Sequence, residues 1–418
     1  MADTPPAVRD PTAALEQLGA DEAGRALLAA AQRDPGLWLV GGAVRDAMLG
    51  RRGRELDVAV EGDPLPTARA LARDLGGRVT EHPTFGTASI SDPDGRVRVD
   101  LARTRRERYA RPGALPDVEP APLVVDLGRR DFTINAIAVA LDPARRGEAR
   151  SVAHALDDLL EGRLRVLHDA SFVDDPTRLL RLARYGARLG FDPEEHTRLL
   201  AGRAIAGGAL DTVTGPRLGA ELRLALAEPR ATAALAELAR LGVLAALHPR
   251  LRYDEELCER ALALLPADGR RDLLLLAAIA LPLSLSAGEP AAELRAWLDR
   301  LGFEAGDRER VLAAAQATPG LVDALARAGR PSELRAAAAS VPLEGVALAG
   351  ALGPAGGARR WLDDLRHVRL EIDGHDLLAA GIAEGPDIGR RLSAALDLRL
   401  DGALPPGREA ELEAALGA

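Results

Sequence analysis

Lysine is absent from the chain: all 54 of its basic side chains are arginine. Such uniformity reads as a genome-wide compositional bias rather than a device of this protein. Positive charge is also outweighed, with 63 acidic residues and a formal net charge of -9. A protein that coats DNA by bulk charge is therefore excluded, although a local basic stripe can still meet a nucleic acid. Cysteine occurs once, at Cys258. That rules out an intrachain disulfide and a zinc site built from cysteines. Aromatics make up 3% of residues against 47% hydrophobic overall, so the core must be aliphatic. No run of about 18 uncharged apolar residues is available to span a bilayer. The long apolar stretch Leu273–Leu285 is too short. No basic segment followed by an apolar run opens the chain. The expectation is a soluble cytoplasmic protein of two to four domains, with no membrane partner and no DNA partner.

What the chain does contain changes character part-way along. Residues 1–35 read as a leader with a short helix around Ala14–Arg33. Leu37–Val40 is apolar like a short strand and runs into Gly41–Gly42 and a helix over Ala43–Leu49. Glu55–Val60 alternates through Leu56, Val58 and Val60, the period of a half-buried strand. Helical periodicity covers Asp63–Leu75. Strands are expected at Arg78–Glu81, Thr87–Ser91 and Arg96–Leu101, with a hairpin turn at Asp92-Pro-Asp-Gly95. The charged segment 104–123 reads as a loop, and order resumes over Asp131–Ala140, partly as strand. After Leu164–Leu167 strand signals almost stop, and 173–418 reads as helix after helix. Breaks are expected at Gly190, Gly207–Gly208, Gly215–Pro216, Pro229, Pro249, Pro266, a turn at 286–290, Pro319, Pro331 and 350–356.

Glu55 and Asp57 lie two apart on a strand, so both side chains leave one face. Carboxylates aimed together repel unless a cation sits between them, and Mg²⁺ favours carboxylate and phosphate oxygens. Two such ions can activate an attacking hydroxyl and stabilise a leaving pyrophosphate. Asp100, on a later strand, completes the cluster if that strand lies alongside. Gly41–Gly42 lets the backbone approach phosphate, and the following helix offers free N–H groups. Arg45 is placed to reach such a phosphate, and Asp46 to orient it or a ribose. Each feature alone has a plainer reading. A Gly-Gly turn is common, and an isolated Glu-x-Asp is often a solvated strand edge.

Seven arginines fall at 96, 98, 103, 105, 106, 108 and 111, opposed only by Asp100 and Glu107. A patch of this kind beside acidic metal ligands suits a polyanion. Arg129-Arg130-Asp131, followed by Phe132, Thr133 and Asn135, is a second cluster. The third is Asp174-Asp175-Pro176-Thr177-Arg178, with Arg181, Arg184 and Arg188 along the helix behind it. Two readings of the third stay open. One is a helix capped by Asp174 or Asp175, with Pro176 in its first turn and ordinary surface arginines. The other is a carboxylate and a guanidinium fork that hydrogen-bond the Watson–Crick edge of a nucleobase, choosing a nucleotide without a nucleic-acid template.

Taken together, these segments resemble the class II (bacterial-type) tRNA nucleotidyltransferase and poly(A) polymerase family. Leu39-Val-Gly-Gly-Ala-Val-Arg-Asp-Ala-Met-Leu-Gly50 with Glu55-Leu-Asp57 is similar to its first motif. Arg129-Arg-Asp-Phe-Thr-Ile-Asn-Ala136 resembles its second, and Asp174–Arg178 with the arginines behind resembles its base-selecting motif. Gly215–Arg223, Gly374–Leu378 and Gly385–Gly389 resemble later parts. The likeness is strong over about 37–225.

The resemblance implies an α+β, polymerase-beta-like nucleotidyltransferase head with a mixed sheet, then an extended all-helical neck, body and tail. The implied divisions are a leader at 1–35, the head at 36–172, the neck at 173–228, the body at 229–350 and a tRNA-binding tail at 351–418. It implies Mg²⁺ held by Glu55 and Asp57 as the two metal-binding carboxylates. CTP and ATP would be the substrates and the tRNA 3′ acceptor end the partner. Gly41, Gly42 and Arg45 match nucleotide-phosphate contacts, with Asp46 beside them. Arg105 matches an arginine near the start of a flexible loop, here roughly Thr104–Val118. Arg130, Asp131 and Asn135 match residues around the nucleotide. Asp174, Asp175 and Arg178, with Arg181 and Arg184, match the amino-acid template for the base. Three positions depart from the pattern: Glu55 and Asp174 stand where the family usually has Asp and Glu, and His375 where it has Lys. No clustered His-Asp motif marks an appended phosphohydrolase domain. The implied reaction is CCA addition to tRNA. A-adding, poly(A)-adding and CC-adding enzymes share the motifs, and a catalytically inactive RNA-binding homologue is the alternative from another class.

Overall fold

The computed structural model describes residues 8–51, 53, 55–285 and 291–418. The chain forms two compact units that divide between Thr214 and Gly215. The segment 173–228, expected as one neck, is therefore split, with 173–214 in the first unit and 215–228 in the second.

The expected single leader helix is two, α1 (Ala13–Ala20) and α2 (Glu22–Ala30). Asp21 separates them because its extended backbone ends one helix and its carboxylate accepts from Gly24 N to start the next. Then follow β1 (Leu37–Val40), α3 (Gly42–Met48), β2 (Leu56–Val60), α4 (Pro64–Asp74), β3 (Arg78–His82), β4 (Thr87–Ser91) and β5 (Val97–Arg103). The turn at Asp92–Gly95 forms as expected, with Gly95 N donating to Asp92 O at 2.9 Å. The strands β8 (Ile137–Ala140) and β9 (Ala149–Ser151) complete a seven-stranded mixed sheet in the order β3-β4-β5-β2-β1-β8-β9. Only the β2–β5 pairing is parallel. Alternation sends Trp38, Val40, Ala59, Ala138 and Ala140 to one face, where they meet Leu123 and Leu127. Leu37, Leu39, Val58, Val60, Val99 and Leu101 are buried on the other.

Segment 104–123, expected as a loop, is instead a two-stranded antiparallel ribbon of β6 (Arg105–Arg108) and β7 (Asp117–Pro120) leading into α5 (Leu123–Gly128). It escapes a hydrophobicity reading because β6 is charged at every position. Ion pairs hold its inward face: Glu107 accepts from Arg105 at 2.9 Å and from Arg129 at 2.7 Å. The strands β10 (Arg163–Leu164) and β11 (Asp192–Pro193) pair in parallel, so strand pairing continues past residue 173. The helix α6 (Ala155–Glu161) precedes β10, and α7 (Ser171–Asp174) and α8 (Arg178–Leu189) lie between the two strands.

The second unit is helical. Its expected breaks appear at Pro229, Pro249, Pro266, Pro331 and 350–356; the turn at 286–290 lies outside the described residues. Pro319 does not break its helix, which runs unbroken over Ala305–Arg327. A proline leaves the carbonyl four residues back without its N–H. Here the Ser284 hydroxyl, which donates to Leu281 O at 2.7 Å, also lies 3.3 Å from Ala315 O, so the freed carbonyl has a polar neighbour that shares one proton. Glu344, fully buried, accepts from Arg310 at 2.7 Å and from Arg270 N at 2.7 Å, so its charge is compensated. Among the described residues no helix is long and apolar enough to cross a membrane.

Candidate active site at the Gly41 turn

The β2–β5 pairing sets Asp57 opposite Asp100 in register, so both side chains leave the same face. Ser89, opposite Asp100 on β4, donates its hydroxyl to Asp100 Oδ1. Glu55 was expected on the strand. It sits one residue before β2, exposed to solvent, where no neighbouring strand constrains it. Burial pushes the Asp57 carboxyl up to about 6, Asp100 and Glu55 add to the shift, and Arg130 and Arg45 oppose it. Removal from water is thus the main reason that this carboxyl holds its proton more tightly than usual. Among the described residues no three acidic or histidine side chains converge into a ready metal cage.

Gly41 links β1 to α3 with φ +67° and ψ -132°, a conformation that belongs to glycine. A Cβ there would stand 3.1 Å from Arg130 Nη1 and 3.7 Å from Asp57 Oδ2. The turn therefore brings bare backbone against a guanidinium and a carboxylate at once. Arg130 is anchored through Nη2 to Asp126 Oδ2 at 3.0 Å, while its buried Nε has no partner. Asp126 also binds Arg129 and accepts from Arg105 N at 3.1 Å. Sequence reasoning missed Asp126; its signal was the helical spacing three and four residues ahead of Arg129 and Arg130.

Arg45 was expected to reach a phosphate. In the structure it is 2% exposed and turned inward. Its Nε and Nη2 donate to Asp46 Oδ1 at 2.8 and 2.7 Å, and its Nη1 donates to Asn135 Oδ1 at 2.5 Å. A buried arginine must satisfy its donors internally, and those partners compete with a ligand. Asn135 Nδ2 donates to Asp131 Oδ1 at 2.9 Å, and Asp131 Oδ2 accepts from Arg181 at 2.9 and 2.6 Å. Against the cost of burial, Arg181 and Asn135 hold the Asp131 carboxyl well below its ordinary value. Asp46, Arg45, Asn135, Asp131 and Arg181 thus form one buried polar chain, and Arg188 joins it at Asp46 Oδ2, 3.5 Å away.

The base-selecting segment carries the cap of the plainer reading: Asp175, in extended backbone, accepts from Thr177 N at 3.2 Å, with Pro176 following it. Asp174 closes α7 and stands 4.0 Å from His168. Asp175 accepts from Thr177 Oγ1 at 2.7 Å, and α8 begins only at Arg178, with no side-chain cap from Thr177. Asp175, expected to share a helical side with Arg178 and Arg181, therefore lies outside the helix. Arg178 is 5% exposed. Its two Nη atoms donate to Ser171 Oγ at 2.6 Å and to Arg129 O at 2.7 Å. Arg184 is likewise buried, and Arg105 opens the ribbon bound to Glu107. A separate cleft of about 950 Å³ takes in Glu55, Arg96 and Arg98 below α1, without Gly41, Asp57 or Arg130.

A mixed sheet bearing registered carboxylates beside a glycine turn, with a helical unit after it, defines a nucleotidyltransferase-type head and body. Residues 37–165 match the model of the Poly A polymerase head domain. The CC-adding tRNA nucleotidyltransferase of Deinococcus radiodurans is 36% identical over 92% of this chain and 91% of its own length. The A-adding tRNA nucleotidyltransferase of Geobacter sulfurreducens is 46% identical over 51% of this chain, which is 24% of that relative. The match spans half or less of the length of the A-adding relatives. A solved complex of a CCA-adding enzyme with CTP superposes with a TM-score of 0.77 at 28% identity, covering 98% of this chain and 99% of that one. The chain belongs to the class II tRNA nucleotidyltransferase and poly(A) polymerase family.

Proposed function

We propose that this protein adds nucleotides from CTP and ATP to the 3′ hydroxyl of tRNA, building a CCA end with release of pyrophosphate. The observation that carries the reading is the meeting of Asp57, Arg130 and bare Gly41 backbone at one end of β2. A guanidinium there neutralises phosphate charge, and a turn without a side chain admits a triphosphate. Mg²⁺ fits this donor set. It commonly takes one or two carboxylates and completes its shell with water and substrate phosphates, so an open arrangement of Asp57, Asp100 and Glu55 suits it. When bound, it would activate the attacking hydroxyl and stabilise the leaving pyrophosphate.

Asp174, Asp175 and Arg178 would read the base, with Arg181 and Arg184 behind them. Arg178 already gives its fork to Ser171 and to the Arg129 carbonyl. Those two bonds use two of its five N–H donors, so they fix the plane of the guanidinium and leave donors for a base edge. The helical unit would hold the tRNA through its backbone, reading shape more than sequence.

Incubating the protein with tRNA ending before CCA, after C and after CC, with each nucleoside triphosphate in turn, tests the proposal. A product ending in CCA supports it. Addition that stops at CC favours the second reading, a CC-adding enzyme, which the end-to-end likeness to a relative of that name recommends. A homopolymeric A tail would overturn both. Asp57→Ala should abolish incorporation while tRNA binding persists; unchanged incorporation would refute the metal assignment.

A further inference from the structure

Tyr185 has no role in the scheme above, yet it sits where the glycine turn meets the base-selecting helix. It lies on α8 and is 9% exposed, with Phe132 set edge-on at 5.9 Å and 87°. Three guanidiniums surround its ring. Those of Arg45, Arg181 and Arg184 lie 5.2, 5.5 and 4.8 Å from the centroid. The hydroxyl accepts from Arg181 Nη2 at 3.2 Å. Like charges crowded this closely repel, and the negative face of an aromatic ring offsets that repulsion where no further carboxylate fits.

Bonds run outward from these arginines in two directions. Arg45 binds Asn135 and lies beside the turn, since a Cβ on Gly42 would be 3.4 Å from Arg45 Nη2 and 4.0 Å from Asp57 Oδ2. Arg181 binds Asp131, and Asp131 binds Asn135. The contacts close into a ring: Tyr185, Arg45, Asn135, Asp131, Arg181 and back to Tyr185. Arg45 comes from α3, Arg181 and Arg184 from α8, and Asp131 and Asn135 from the segment between α5 and β8. Among the described contacts of this ring, Tyr185 touches arginines of both helices.

We infer that Tyr185 is a positioning residue for nucleotide addition, its ring holding Arg45 against Arg181 and Arg184 so that the Gly41–Asp57 end and the base-selecting helix face one nucleotide together. The inference rests on the nucleotidyltransferase reading and adds to it a determinant of nucleotide choice. A leucine removes the π face and the acceptor. A phenylalanine keeps the face and loses only the acceptor.

The test is steady-state addition to tRNA lacking its CCA end by the full-length protein, with thermal unfolding measured alongside. Tyr185→Leu should raise the KM for CTP about tenfold or more and narrow the preference for CTP over ATP at the first added position. Tyr185→Phe should stay within about threefold of wild type in both. A merely structural role would lower the melting temperature and the active fraction, with KM and preference unchanged in the folded enzyme. That result, or a phenylalanine variant as impaired as the leucine one, overturns the inference. If Tyr185→Leu does not accumulate folded, Tyr185→Met carries the same expectations. A wild-type protein that adds no nucleotide refutes the function itself. A wild type that adds nucleotides beside an indifferent Tyr185→Leu refutes only the role of Tyr185.

Discussion

Replacing Gly41 with alanine perturbs two things that can be measured apart. The first is backbone strain: φ +67° with ψ -132° is held by non-glycine residues only at about 1–3 kcal/mol. The second is a contact. The new Cβ would stand 3.1 Å from Arg130 Nη1, and Arg130 is tied to Asp126 at 3.0 Å. For the guanidinium to yield, that bond must bend or break, at about 1–2 kcal/mol for a charged pair still partly open to water. Together these predict a loss of about 2–5 kcal/mol. A unit of this size shifts by roughly 2–4 °C per kcal/mol, so calorimetry on the full chain should show the first unit melting roughly 4–20 °C lower. On the proposed function, nucleotide addition should fall at least about tenfold in kcat/KM, because the displaced guanidinium and carboxylate are the groups proposed to meet the triphosphate. Arg130→Ala separates the contributions. In the double variant the contact is gone and only strain remains, so the combined loss is smaller than the sum of the two. A Gly41→Ala protein with wild-type melting and kcat/KM would refute the reasoning. So would a loss that Arg130→Ala cancels completely, since strain would then be nil.

Asp131→Asn should cost about 3 kcal/mol, because it leaves Arg181 without its carboxylate, and urea unfolding would read it. The Asp131 carboxyl is held below its ordinary value in the folded state. Its contribution is therefore complete above the unfolded value near 4 and lost as pH falls through the folded one. The wild type should accordingly lose stability on acidification below about pH 4 more steeply than Asp131→Asn, and parallel curves would contradict this. Glu107→Gln weakens the charged anchor shared by Arg105, Arg129 and Tyr109. Amide exchange across 105–120 should quicken while the central strands stay protected; unchanged exchange would mean that the backbone pairing alone holds the ribbon. Ser284→Ala removes the bond to Leu281 O and the longer contact with Ala315 O and should cost about 1 kcal/mol. Pro319→Ala restores a helical N–H, so the double variant should be at least as stable as the wild type. If Pro319→Ala gives no rescue, the serine is not standing in for the missing donor.

Much of the head was legible because its signals are local. Period-two alternation in Leu56, Val58 and Val60 marks a strand whatever lies beside it, and Asp92-Pro-Asp-Gly95 makes its turn alone. The ribbon over 105–120 was not legible, because salt bridges to Arg129 hold its inward face and no apolar pattern announces it. Pro319 misled for a similar reason: the hydroxyl that approaches its freed carbonyl sits 35 positions earlier in the chain, at Ser284.

The candidate site divides in the same way. By itself the sequence determined which residue types are present and which share a strand face or helix turn, enough to propose Gly41, Asp57, Arg130 and Asp131 as working groups. Only the tertiary structure decided what each does with its charge. Parallel pairing of β2 and β5 set Asp57 opposite Asp100, a matter of sheet order that no spacing reveals. Burial turned Arg45 and Arg178 inward onto Asn135, Ser171 and a backbone carbonyl, because a guanidinium removed from water must find acceptors wherever the fold supplies them. Arg130 kept one nitrogen against the bare glycine turn for want of such partners. The difference between an arginine that spends its donors on the fold and one that keeps some for a ligand is therefore set by its neighbours in space, and those neighbours are far apart in the chain.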